Sequence, residues 1–143
     1  MSVATGGMFS GHESNGLVLV VDDEPDVRKV VRMTLTKSGY DVIETEDGEK
    51  AIEVINEGEN PLLVDVIVTD IRMPKINGVE TICYFQLHFP RVSLIVLTGY
   101  PDIEMATGFI KKGLVDYLVK PVESEQLLHS VAKAIDQREL NRL

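Results

Sequence analysis

Four apolar runs in this chain each stop at a residue with a chemically useful side chain. That pattern restricts the fold more than any other feature of the sequence. Leu17 to Val21 leads into Asp22-Asp23, and the run Val64-Asp65-Val66-Ile67-Val68-Thr69 ends at Asp70. Leu94 to Leu97 leads into Thr98, and Val115 to Val119 leads into Lys120-Pro121. Short, nearly continuous Val/Ile/Leu runs mark strands covered on both faces, hence a mainly parallel sheet. Open sheets of that kind bind ligands in the crevice beyond the carboxyl ends of their strands. The residues that close the four runs therefore belong to one rim.

Strands are predicted at 17–21, 40–45, 64–69, 93–97 and 115–119. The second, Tyr40-Asp41-Val42-Ile43-Glu44-Thr45, is the most polar and suits an edge. Helices fill the intervals. Pro25 sits at a first-turn position, and Val27, Val30, Val31 and Leu35 then form one apolar stripe up to a stop at Gly39. Asp47 caps the second helix, which carries Ala51, Ile52 and Ile55 and ends at Gly58. Asn77 and Glu80 have capping-box spacing for a third helix running to about His88. The fourth, at 102–111, contains Gly108, which costs about 1 kcal/mol against Ala and makes this helix the weakest. The fifth, at 123–141, carries Leu127, Leu128, Val131, Ala134 and Ile135 on one face. Five βα units with right-handed crossovers give an α/β fold, a doubly wound five-stranded parallel sheet in the flavodoxin-like order 2-1-3-4-5. Residues 1–16, rich in Gly and Ser, read as a disordered leader, and 17–141 as one domain.

Composition narrows the function. A net charge of −9 on 143 residues disfavours a nucleic-acid surface. The longest apolar runs fall well short of the roughly 18 residues needed to span a membrane. Cys83 is the only cysteine, which excludes an internal disulfide and fits a cytoplasmic location. Cys83 reads as a packing residue of the third helix, and Asp65, Glu24 and Lys111-Lys112 as solvated. His12, His88 and His129 have no metal-ligand spacing.

In the order 2-1-3-4-5 the first and third strands are neighbours, so Asp22, Asp23 and Asp70 converge. Three carboxylates that close repel one another, and a hard divalent cation such as Mg²⁺, with Mn²⁺ as alternative, resolves the conflict. Asp70 is then a nucleophile for phosphoryl transfer, Lys120 a compensating charge and Thr98 a hydroxyl donor to a phosphoryl oxygen. No general base is evident in the crevice, which suits a reaction run by positioning and charge neutralisation.

Val20-Val21-Asp22-Asp23-Glu24, Val68-Thr69-Asp70-Ile71-Arg72-Met73-Pro74, Leu97-Thr98-Gly99 and Tyr117-Leu118-Val119-Lys120-Pro121 follow in the order and approximate spacing of a known set of motifs. Over about 17–138 the chain resembles the receiver domain of bacterial two-component response regulators. The resemblance implies phosphorylation of Asp70 by a sensor histidine kinase or phosphotransfer protein. It implies Mg²⁺ ligation by Asp23, Asp70 and the Arg72 backbone carbonyl, with Asp22 acting through water. It further implies a switch pair, Thr98 and Tyr117, that reshapes the face of helix 4, strand 5 and helix 5, the face open to an output domain or a second copy. A cis Lys120-Pro121 bond also follows from it. Arg72 and Tyr100, two residues beyond Asp70 and Thr98, occupy positions that tune hydrolysis in similar domains.

Rival readings fit less well. A haloacid-dehalogenase-type phosphatase wants Asp-x-Asp after the first strand, and Asp22-Asp23-Glu24 does not supply it. A flavin carrier wants a hydroxyl- or Gly-rich phosphate loop where this chain has acids that repel phosphate. A receiver-like module that is never phosphorylated would not need the intact set Asp22, Asp23, Asp70, Thr98 and Lys120.

Overall fold

The structure, a computed structural model, describes residues 13–71 and 78–141. Five parallel strands are β1 (Leu17–Val21), β2 (Asp41–Thr45), β3 (Val66–Thr69), β4 (Ser93–Thr98) and β5 (Asp116–Val119). Their order is β2-β1-β3-β4-β5, the predicted one. The helices are α1 (Pro25–Lys37), α2 (Gly48–Ile55), α3 (Gly78–His88), α4 (Ile103–Lys111) and α5 (Ser124–Asn141).

Strand alternation divides the core in two. Leu17, Leu19 and Val21 of β1 face one side, where Ala51 and Ile55 of α2 and Ile82 and Phe85 of α3 cover them. Val18 and Val20 face the other side, against Val31 and Leu35 of α1 and Leu127 and Val131 of α5. Every residue of β1, β3 and β4 is buried, as the continuous apolar runs require. Edge strand β2 is more open, and its Glu44 pairs with Arg28 and Arg32 of α1 at 3.5 and 3.3 Å.

Helix starts follow local chemistry. Asp47 Oδ1 accepts from the Lys50 N–H at 2.8 Å and caps α2. Asp102 does the same for α4, accepting from the Met105 N–H at 3.0 Å. Phe109 is the one buried residue of α4, fewer than in any of the other four named helices. At the start of α3, a Cβ on Gly78 would strike the backbone of Ile71, so only glycine allows α3 to begin against the end of β3. Asn77, the expected cap, lies outside the described residues.

Several local readings need correction. Cys83 is exposed rather than packed, because Thr81, Ile82 and Phe85 form the inward face of α3. Asp65 is not solvated: its Oδ2 accepts from the Leu17 N–H at 3.0 Å, and its Oδ1 lies 3.8 Å from Nε of the buried Arg138. A helical turn at Asn60–Leu63, with Pro61 inside it, is an element the sequence reading did not include. Asn60 Nδ2 ties it to the Val54 carbonyl at 2.8 Å. Residues 15 and 16, assigned to the leader, are engaged: the Asn15 N–H donates to the Gly39 carbonyl at 2.9 Å, and the Gly16 carbonyl accepts from Asp41 N–H at 2.9 Å. No helix among the described residues is long and apolar enough to cross a membrane.

Candidate functional site

Register places the acids. Val21 of β1 is paired with Thr69 of β3, so Asp22 and Asp70 leave adjacent strands at the same level. Two backbone bonds hold the level: Asp70 N–H donates to the Val21 carbonyl at 3.0 Å, and Asp22 N–H to the Thr45 carbonyl at 3.1 Å. On the far side, Lys120 N–H donates to the Thr98 carbonyl at 2.8 Å, so the ends of β4 and β5 meet the same rim. The Lys120-Pro121 peptide is cis.

One oxygen from each of Asp22, Asp23, Glu24 and Asp70 lies within 4.8 Å of the others. Asp22 and Asp70 are buried, whereas Asp23 and Glu24 are exposed. Lys120 Nζ reaches three of these acids: Asp70 Oδ2 at 2.7 Å, Asp22 Oδ2 at 2.8 Å and Glu24 Oε1 at 2.8 Å. The other Asp70 oxygen, Oδ1, accepts from the Ile71 N–H at 2.6 Å. The carboxyl is therefore clamped at both oxygens.

Electrostatics follow from this crowding. Burial pushes the Asp22 carboxyl above its ordinary pKa, and the hydrogen bond from Lys120 offsets only part of that effect. Burial alone would lower the Lys120 pKa, but hydrogen bonds to Asp22, Asp70 and Glu24 outweigh it and raise the value. Lys120 therefore stays charged. A donor set made only of carboxylate oxygens, part buried and part open to solvent, fits a hard divalent cation. Arg72, the expected carbonyl donor, lies outside the described residues.

Thr98 and Tyr117, the expected switch pair, both lie among the described residues. Thr98 is buried, and its Oγ1 accepts from the Tyr100 N–H at 3.1 Å. Tyr117 is partly buried against the α2–α3 side of the core, and its hydroxyl accepts from the Asp102 N–H at 3.3 Å. Both side chains are thus held by amides of one short loop, two residues apart. Tyr100 is exposed and lines a cavity of about 600 Å³ with Glu24, Val27, Val30, Lys120 and Pro121. Sequence reasoning missed the part played by Glu24. Its position directly after Asp22-Asp23 was the available signal, but an acid there also suits plain solvation, and the side chain is indeed exposed. His88 and His129 are exposed, as expected.

The family model described as the response regulator receiver domain matches residues 18–132. The transcriptional regulatory protein GlrR of Escherichia coli is 30% identical over 120 residues, covering 84% of this chain and 26% of that protein. A cyclic di-GMP phosphodiesterase of Thermotoga maritima is 34% identical over 121 residues, covering 85% of this chain and 31% of that one. The chain thus spans about a quarter to a third of the length of these curated relatives. Among solved structures, a response regulator receiver domain protein from Clostridium thermocellum superposes with a TM-score of 0.79 at 29% identity, covering 87% of this chain and 98% of that one. Motif order, strand order and the match over most of the length agree: this chain belongs to the receiver-domain family of two-component response regulators.

Proposed function

We propose that Asp70 accepts a phosphoryl group from the phosphohistidine of a sensor kinase or phosphotransfer protein, and that the phosphorylated state reshapes the face formed by α4, β5 and α5. The observation that carries this reading is the clamp on Asp70. One oxygen is fixed by the Ile71 N–H, and the other faces the part-buried Lys120 ammonium at 2.7 Å. A new bond forms between an Asp70 oxygen and phosphorus. The donor's P–N bond breaks, and its electron pair returns to the imidazole, which takes up a proton. The domain is an enzyme only in this self-directed sense.

Lys120 and Thr98 do the local work. The ammonium neutralises charge on the arriving group, and the Thr98 hydroxyl turns from the Tyr100 N–H toward a phosphoryl oxygen. Asp22, Asp23, Asp70 and the Arg72 carbonyl would hold Mg²⁺, or Mn²⁺ in its place, and its charge would stabilise the phosphoryl oxygens. A phosphoryl group adds about −1.5 to −2 charge and three strong acceptors. Complete switching needs roughly 5.5 kcal/mol of differential binding, more than one charge-assisted hydrogen bond from Thr98 supplies at about 1.5–3 kcal/mol. Lys120 and the cation contribute the remainder. Ile103, Ile110 and Val119 expose apolar surface on the responding face, which suits an output domain or a second copy. The working domain is 17–141, in the cytoplasm.

Incubation with Mg²⁺ and acetyl phosphate followed by intact-mass measurement tests the reading. One phosphoryl mass on the wild type and none on Asp70→Asn is the expected result. No mass gain on the wild type, as for an interaction module that is never phosphorylated, would sink it.

A further inference from the structure

Glu24 occupies the N-cap position of α1 but makes no side-chain capping bond. Its carboxylate turns the other way. Although the side chain is 58% exposed, Oε1 lies 2.8 Å from the Lys120 ammonium, which is itself only 11% exposed. Lys120 thus divides its charge among two buried acids and one acid that stands at the mouth of the notch. The Glu24 N–H also donates to Asp22 Oδ1 at 2.9 Å, so the backbone of this residue is fixed to the acid pair while its side chain is open to solvent.

We propose that Glu24 is an anionic gate on phosphoryl entry: its carboxylate holds Lys120 and must release it before an incoming phosphate can pair with that ammonium. The inference rests on the acceptor role of Asp70. An arriving phosphoryl group is anionic and needs the cation that Glu24 borrows. Glu24 is the partner able to leave, because solvent can stabilise its freed carboxylate, whereas Asp22 and Asp70 are buried. Glu24 is a positioning residue that acts through Lys120. Its effect falls on how readily a donor binds, less on the bond-making step that follows. An exposed ion pair of this kind shifts an equilibrium by up to about fivefold.

Acetyl phosphate, at Mg²⁺ concentrations that saturate each variant, provides the test. The Asp70 O–P bond forms as the O–P bond to the acetyl group breaks, and acetate leaves with the electron pair. The rate of intact-mass gain is followed against donor concentration for wild type, Glu24→Gln and Asp26→Asn. Asp26 is an exposed acid on the rim of the same cavity that is not paired with Lys120. Glu24→Gln is expected to lower the half-saturating donor concentration about 3- to 5-fold, with a maximal rate close to wild type. Asp26→Asn is expected to stay near wild type. An unchanged or raised half-saturating concentration in Glu24→Gln overturns the gate. So does an equal shift in Asp26→Asn, which would make the effect one of net charge. Absence of any mass gain that depends on Asp70 overturns the acceptor reading itself.

Discussion

Lys120 Nζ stands 2.7 Å from Asp70 Oδ2, and the same nitrogen serves Asp22 Oδ2 at 2.8 Å. One ammonium therefore compensates two buried carboxylates from different strands. Lys120→Ala removes both a competitor for bound cations and the counter-charge for the phosphoryl group. These two losses have opposite signs in two assays. Mg²⁺ affinity by titration calorimetry is expected to rise several-fold, while the rate of phosphoryl acceptance falls about 100-fold. A fall in both would show that Lys120 is needed only to keep the notch folded.

Tyr117 and Asp102 make a second testable link. The Tyr117 hydroxyl accepts from the backbone N–H of the residue that caps α4. If Tyr117 acts as a switch by turning its ring inward, that movement would break this bond. Tyr117→Phe removes it at the outset, at a value of about 1 kcal/mol or a factor of about five. The Asp102 and Met105 amides are expected to exchange hydrogen faster, and the Mg²⁺-dependent response of α4 to phosphorylation to need less donor. Exchange rates equal to wild type at both amides would refute the latch.

Rim chemistry was legible in the sequence because it depends on where strands end and how they register. Asp22 and Asp70 sit at run ends, and parallel pairing of Val21 with Thr69 brings them together without further information. What the sequence hid depends on the direction of side chains. Glu24 and Asp65 are both acids beside apolar runs and look alike on paper. In the fold one turns to Lys120, and the other secures the start of β1 and meets Arg138 from the far end of α5. Tyr100 N–H to Thr98 Oγ1 and Asp102 N–H to Tyr117 hydroxyl were invisible for the same reason: loop conformation decides them, and hydrophobic period says nothing about loops. The Asn60–Leu63 turn was missed because its stability comes from the Asn60 side chain reaching back to Val54.

Asp116 gives a pH-dependent prediction away from the notch. Its Oδ2 accepts from Ser130 Oγ at 2.6 Å and from Lys133 Nζ at 3.1 Å, tying β5 to α5. Burial alone would raise its pKa, but these two bonds, the Lys133 charge and the Tyr117 N–H together bring it below the ordinary 3.8. A carboxyl with a lowered folded-state pKa contributes stability that is present above 3.8 and disappears as pH falls through the folded value. Asp116→Asn is therefore expected to cost about 1 kcal/mol near neutrality in urea denaturation. The gap should close in acid below the ordinary carboxyl range. A gap independent of pH would show that the carboxylate charge is not what joins the two elements.

Tyr100 is expected to set the lifetime of the phosphorylated state. Its ring is 62% exposed and stands over the cavity that Lys120 also lines. Its own N–H is the partner that the Thr98 hydroxyl would leave in turning to a phosphoryl oxygen. A bulky ring two residues beyond Thr98 would narrow the approach of water to the phosphorus of a phosphorylated Asp70, and hydrolysis needs that water in line with the Asp70 oxygen. Tyr100→Ala opens the approach but keeps the backbone N–H, so Thr98 is unaffected in the unphosphorylated state. The half-life of the phosphorylated protein, followed by intact mass after removal of the donor, is expected to shorten several-fold. The rate of phosphoryl acceptance should move much less, because the acids, Lys120 and Thr98 are unchanged. Tyr100→Phe keeps the bulk and should keep the half-life. If Tyr100→Ala matches the wild-type half-life, the ring does not shield the phosphoryl group, and Arg72, two residues beyond Asp70 in sequence, becomes the side chain to substitute next.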